Sequence, residues 1–375
     1  MGFLSLMVAS VFLASTVACL PILVLRNSGT QTCGPASWET IVLFYLLNYG
    51  AHAMTVVGFP GEREPISLMW ATLALLLPYS GIGKACISIA CSLPGTRDPL
   101  KRALYAGALC EVVEGDSTLL LKTRKIHGRA SLPSGYTFSP IILTGVSFTE
   151  FEATSFHKIS SSQSHLKSCI AICQLLFSCF TLYHTRGNQI QLYGYAAFGF
   201  TVVPYAVMSV VNLVSNLLVP HYPTLYLVRT PLMNQAEEAG GRFEGVVGTV
   251  PTTRNPDADL DVATLPVVLF WFLLILAIIT PYIILKAMTN FDAGDSTPAQ
   301  RGWTMGWLAV GQLYGLLTAG AGLVFWMQDP DTGSRLPLSG HLLGLVVPSA
   351  AGIGGFVVVG QMLVVHGQCS TSTAL

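Results

Sequence analysis

Charge is what this sequence has least of. Asp, Glu, Lys and Arg make up 10% of its 375 residues, against roughly a quarter in an ordinary soluble domain. A chain so poor in charge cannot coat a large water-facing surface with it. The formal net charge is zero, so no basic field supports a nucleic-acid partner. Nine cysteines are present without a CxxC pair. Cys19, Cys86, Cys91, Cys169, Cys173 and Cys179 sit in apolar runs, where a thiol behaves as a small hydrophobe. Cys169 and Cys173 share a helix face, where core packing is the favoured reading over a metal, so no structural zinc site, metal or cofactor is expected. No Asp or Glu falls in the middle of an apolar run and no internal repeat of transporter scale is visible, two features that proton-coupled carriers commonly need.

Apolar residues are what the chain has instead. They account for 52% of it, with a mean hydropathy of +0.59, and they come in uninterrupted runs that point to a bilayer as solvent. About eight such runs approach the roughly 20 residues that a crossing demands. They are Phe3 to Leu25, Trp38 to Phe59, Ile66 to Ser88, Ser168 to Tyr183, Leu192 to Val219, Leu265 to Leu285, Trp303 to Met327 and His341 to Val365. The first continues well past Thr16-Val17-Ala18 and reads as an uncleaved signal-anchor. The expected fold is therefore an all-α integral membrane protein: a bundle of about eight transmembrane helices with a small α+β cytosolic insert. Three N-terminal spans occupy 1–93, the insert 94–166, and five further spans 167–366 with a polar loop at 220–261, followed by a tail at 367–375.

Basic residues orient the bundle. Arg97, Lys101, Arg102, Lys122, Arg124, Lys125, Arg129, Lys158 and Lys167 all lie between the third and fourth runs, which predicts a cytosolic segment. Alternation of eight spans then puts Arg63, Arg186, Lys286 and Arg301 on the opposite face and both termini in the lumen or exterior. Within the insert, RDPLKRALYAG suits a short helix, ALCEVVE and STLLLKTRKIHG suit two strands about a Gly115-Asp116 turn, and TGVSFTEFEATSF adds a third alternating stretch. The Gly- and Asp-rich loop at 220–261 reads as irregular.

Polar groups inside the runs are the candidates for chemistry. Asn48 and His52 sit one helical turn apart, Asn212 and Asn216 repeat that spacing, and Gln174, Gln312 and Gln361 stand singly. The bland reading is hydrogen bonding between helices; the sharper one is that the His52 imidazole relays a proton. His52 and Asn48, with Glu39 at the edge of the same run, form the expected catalytic set, although Glu39 is separated from them by roughly 13–20 Å along a helix axis. Lys84 should snorkel to the cytosolic surface. Acidic residues at Asp257–Asp261 and Asn290–Asp295 are spaced to share a magnesium ion, with a solvated turn the favoured alternative. Gly302 and Gly306, Gly311 and Gly315, and Gly340 and Gly344 predict close helix approach. Pro204, Pro281 and Pro348 each free a backbone carbonyl and kink a span.

Two stretches carry a resemblance: Arg97 to Gly128, and YGYAAFGFTVVPYAVMSVVNLVSNLLVPHYPTLYLV from Tyr193 to Val228. They resemble polytopic membrane proteins of filamentous fungi. At the level of class they are similar to membrane proteins of terpenoid clusters of the indole-diterpene type, among which membrane-embedded terpene cyclases occur. The resemblance implies a membrane-embedded terpene cyclase or accessory enzyme of terpenoid secondary metabolism, with membrane lipid, a hydrophobic small-molecule substrate and other membrane-bound biosynthetic enzymes as partners. The alternatives are a transporter or channel, or a non-catalytic scaffold for those enzymes.

Overall fold

The computed structural model describes residues 30–92, 98–115, 123–141, 152–153, 159–186, 188–249, 260–327 and 338–372. The first apolar run, Asp257, Asp259, most of TGVSFTEFEATSF and the surroundings of Gly340 and Gly344 lie outside the described residues and side chains.

The described chain is mostly helical, and its helices start where capping chemistry allows. Helix α1 (Trp38–Tyr45) begins after Ser37, whose hydroxyl accepts the Thr40 N–H. It runs through a π turn at Leu46–Gly50 into α2 (Ala51–Thr55). Then come α3 (Glu64–Leu76), α4 (Ile82–Ser92), α5 (Pro99–Tyr105), α6 (His165–His184) and α7 (Asn188–Tyr193). Two short 3-10 turns lead into α8 (Val203–Leu218), followed by α9 (Pro231–Glu238), α10 (Leu260–Thr289), α11 (Pro298–Met327) and α12 (Leu338–His366). Asp98, Thr230 and Thr297 each precede a proline at a helix start and accept from the first turn, the arrangement that fixes an N-terminus. Among the described residues four segments are long and apolar enough to cross a membrane: His165–His184, Phe198–Leu218, Leu265–Thr289 and Pro348–His366. Their outer faces are apolar too: on α10, Val268, Trp271, Phe272, Ile275, Ile279 and Ile283 all project outward. Bulky apolar side chains on an outer face suit lipid and not water.

The run from Ile66 to Ser88 is where the structure departs most from the sequence reading. It forms two helices, α3 and α4, of 13 and 11 residues, roughly 20 and 16 Å long and each too short for a hydrocarbon core of about 30 Å. Both outer ends lie against the same small sheet. At the start of α3, Glu62 and Arg124 form a backbone bridge and the Arg63 N–H donates to the Thr123 carbonyl. At the end of α4, Cys91 packs into one cluster with Leu100, Leu104, Leu109 and Tyr226. Arg63 thus shares a face with the basic segment instead of opposing it.

Between the two helices the turn Leu77–Gly81 is buried inside the bundle. A helix end there leaves carbonyls that water cannot reach, and side chains from other helices satisfy them: Tyr205 Oη donates to the Leu75 carbonyl at 2.6 Å and Trp307 Nε1 to the Leu76 carbonyl at 2.6 Å. Small residues make room for the turn. A Cβ on Gly315 would lie 2.6 Å from Tyr79 Cβ, one on Gly83 2.7 Å from Ala319 Cα, and one on Gly352 2.6 Å from the Leu76 carbonyl. Gly302 and Gly306, by contrast, face open space.

At the sheet end, five strands run in the order β4 (Tyr136–Pro140), β2 (Leu109–Glu114), β6 (Tyr226–Arg229), β8 (Gly248–Thr249) and β5 (Glu152–Ala153). The middle pairings β2–β6 and β6–β8 are parallel and the outer ones antiparallel. Strand β2 pairs with β4, while most of the stretch expected as its partner, residues 116–122, lies outside the described residues; the loop at 220–261, read as irregular, supplies β6, α9, β7 (Arg242–Phe243) and β8. β7 joins β3 (Ala130–Ser131) in a two-stranded piece. The sheet is therefore shared by two separate segments of the chain.

At the other end, β1 (Thr30–Gly34) pairs antiparallel with β9 (Gln368–Ser372), setting Cys33 opposite Cys369. Cys33 is disulfide-bonded, and so is Cys179 near the far end of α6. The apolar surroundings of Cys179 suggested a thiol acting as a small hydrophobe; the bond corrects that. The turn Asn290–Asp295 also lies at this end, its Asp292 carbonyl accepting from the Tyr195 N–H and its carboxylate from the Gly294 N–H. Those contacts make it a docking turn, and among the described residues no His, Cys, Asp and Glu gather as metal ligands would.

Candidate functional site

The expected catalytic set separates. Glu39 is exposed in the first turn of α1 at the ribbon end, whereas Asn48 and His52 are fully buried. The π turn containing Asn48 frees backbone groups that side chains use: Asn48 Nδ2 donates to the Phe44 carbonyl at 3.0 Å and the Asn48 carbonyl accepts from Gln174 Nε2 at 2.8 Å. Thr181 donates to Asn48 Oδ1 at 3.4 Å. His52 Nδ1 is 3.5 Å from Ser209 Oγ, which itself donates to Gln174 Oε1 at 2.6 Å. Its Nε2 is buried without a hydrogen-bond partner. Asn212 and Asn216 of α8 donate to the Thr55 hydroxyl and carbonyl.

Joined end to end, these groups draw a line of buried polar side chains along α2, α6 and α8, from Asn216 near the sheet to Thr185 and Gln189 near the ribbon. Sequence reasoning found its members in pairs but not the line, because three helices contribute to it. Four of its atoms, His52 Nε2, Ser178 Oγ, Asn212 Oδ1 and Ser215 Oγ, are buried without a partner. The line is packed shut. The small cavity beside it, lined by Pro78, Thr201, Pro204, Tyr205 and Trp307 among others, holds about 20 Å³, enough for one water and no substrate.

Space is found at the junction of the helices and the sheet. A groove of about 630 Å³ lies between α2 and α3, lined by Met54, Val57, Leu68 and Ala71 among its apolar residues and by Glu62, Glu64, Trp70 and Lys167 among its polar and aromatic ones. Met54 and Leu68 are 62% and 69% exposed on the outer face of the bundle, so the groove opens where lipid would lie. Glu62 Oε1 is 3.0 Å from Lys84 Nζ, the two side chains only 8% and 6% exposed. Lys84 does not snorkel: its ammonium is held 4.4 Å from the Phe59 ring centre and 4.1 Å from that of Trp70, where ring faces and a carboxylate replace water. Arg124 stacks on the other approach to Phe59 at 4.8 Å. Burial pulls its guanidinium below the usual range and the Glu62 carboxylate pulls it back up. Lys167 Nζ donates to the Val56 carbonyl at 2.8 Å. Sequence reasoning missed Glu62 because it searched within the spans; the only signal was the charge density of Gly-Glu-Arg-Glu-Pro at a span boundary.

Fold and site together define a mostly helical protein of membrane type, with a groove that opens on the apolar outer face of the bundle and whose charged residues lie near a small sheet. No protein-family model matches the chain, and neither the curated proteins nor the solved structures include a significant match to it.

Proposed function

We propose that the protein is a membrane-embedded enzyme of isoprenoid-type metabolism, a terpene cyclase or its accessory enzyme, that takes a hydrophobic substrate from the bilayer through the groove between α2 and α3. The observation that carries this reading is the groove itself: its volume lies within the roughly 300–1,000 Å³ of small-molecule sites, and Glu62, which lines it, is half of a donor–acceptor couple with Lys84 behind it. Glu62 in its ion pair is a proton acceptor and the Lys84 ammonium a donor, which suits proton transfer at a site shielded from water. Deleting the protein from its source organism should make an isoprenoid precursor accumulate. Wild-type chain should restore the product and Glu62→Gln at equal abundance should not; an unchanged metabolite profile on deletion would sink the proposal.

In this reading the bundle crosses the membrane with α1–α2, α6, α8, α10, α11 and α12, while α3 and α4 enter and leave on the sheet side. The sheet end faces the cytosol. Its basic residues support that orientation, as do the free thiols Cys91 and Cys110 at the sheet end and the bonded Cys33 and Cys179 toward the other, since disulfides belong to an oxidising compartment.

A transporter or channel is the second reading, and one observation favours it: the buried polar line from Asn216 to Gln189. The readings part at His52→Gln. Groove chemistry should survive that change, whereas a conducting line would lose proton flux across proteoliposomes.

A further inference from the structure

We infer that the charged end of the groove holds a phosphoryl group at the head of an apolar chain, that is, a phosphomonoester or diphosphate of an isoprenoid or other lipid. The inference rests on the groove being a hydrophobic-substrate site and adds the chemistry of the substrate's head.

It starts from a charge census. Three cations, Lys84, Arg124 and Lys167, act on the single carboxylate of Glu62, leaving two positive charges in excess. The neighbouring groups do not remove them. Glu64 also lines the groove, but it is 88% exposed and its charge is paired with Lys125 at 3.2 Å, and Arg63 turns its Nε to the Arg124 carbonyl. His221, on the far side of Lys167, is a further nitrogen and no acid. Among the described residues the salt bridges are Lys84–Glu62, Lys125–Glu64 and Arg229–Glu237, so Arg124 and Lys167 have no carboxylate of their own. Half-buried cations without counter-charge are costly unless something anionic completes the site. A phosphate monoester carries about −1.5 to −2 at neutral pH, which matches the excess. Arginine offers it a fixed fork and lysine a mobile point charge, and the Phe59 and Trp70 rings hold the heads in place. A soluble phosphate would need none of the rest: the groove continues past Val57 and Ala71 to Met54 and Leu68 on the outer face, a course that fits an apolar tail.

The test uses the full chain in nanodiscs of phosphatidylcholine, with farnesyl monophosphate, farnesol and inorganic pyrophosphate as probes in a thermal-shift and competition assay. Farnesyl monophosphate should bind at least about tenfold tighter than farnesol, Lys167→Met should erase that difference, and Arg124→Lys should keep part of it. Glu62→Gln, which removes the competing negative charge, should bind the ester more tightly than wild type and gain more thermal stability from it; a purely structural Glu62 would give the reverse. Competition by phosphatidic acid would support the inference and name a bilayer lipid as the source of the head, and failure to compete would point to the isoprenoid. Equal binding of farnesol and its phosphate would overturn the phosphoryl site while leaving the groove as a hydrophobic site. Pyrophosphate binding as tightly as the ester would overturn the apolar half, and no binding by any probe would overturn both.

Discussion

Pro281 deprives the Ala277 carbonyl of its partner within α10, and the Tyr79 hydroxyl of the α3–α4 turn donates to that carbonyl at 3.1 Å. Gln312 secures the next turn, donating to the Ile278 carbonyl while accepting from Tyr282. The freed carbonyl was readable from the proline alone; the residue that answers it was not, because Tyr79 lies in a different run. Tyr79→Phe should cost about 1 kcal/mol, the scale of a hydrogen bond between membrane helices. In a Pro281→Ala background, where α10 can bond the carbonyl itself, the same change should cost less. Unfolding in detergent measures both steps, and strictly additive losses would refute the link. At Cys110 a different expectation follows. The thiol is wholly buried in β2, and burial raises its pKa far above the ordinary value despite the nearby Arg124 charge. Although Cys110 belongs to the hydrophilic end, it should resist maleimide from either side until the sheet unfolds; labelling at the rate of an exposed cysteine would contradict its place in the fold.

Two short helices with a buried turn are harder to read than any single span. LMWATLALLLPYSGIGKA from Leu68 onward is apolar almost throughout, and hydropathy cannot tell a crossing from a fold-back. The punctuation was present in Pro78, Gly81 and Gly83, each a residue that breaks or crowds a helix, but prolines also sit inside α10 and α12 without turning the chain. What separates the cases is the partner: Tyr205 and Trp307 stand ready at Leu75 and Leu76. The pairs Asn48/His52 and Asn212/Asn216 were legible as helix faces, since four-residue spacing suffices for that, while the third helix, α6, was visible only as the lone amide Gln174. The glycines of α11 allow a comparison on one helix. Gly315→Val should destabilise the bundle by roughly 1–3 kcal/mol through overpacking against Tyr79, whereas Gly306→Ala, pointing into open space, should be neutral or slightly stabilising. Equal effects at the two positions would deny that α11 clamps the turn.

For the molecule as a whole, the fold-back changes the parity of the topology, and that is measurable with single cysteines placed on exposed residues. Arg63→Cys and Ser134→Cys should be modified by an impermeant reagent from the same face, and Ala299→Cys from the other. Eight plain crossings would instead pair Arg63 with Ala299. The helical class, the apolar runs and the basic end were written in composition and periodicity; the shared sheet was not, because its strands are short, two of its pairings are parallel, and they join segments far apart in sequence.

The ribbon at the opposite end has a consequence in time. β1 precedes every described helix in the chain, and its strand partner among the described residues is β9, which emerges after α12. Throughout synthesis of the intervening helices β1 waits as an open strand edge, exposed to whatever else offers a backbone. Latching of this end thus waits for β9, and a ribosome that stops at Gly367 would release a chain that has all its described helices and β1 still unlatched.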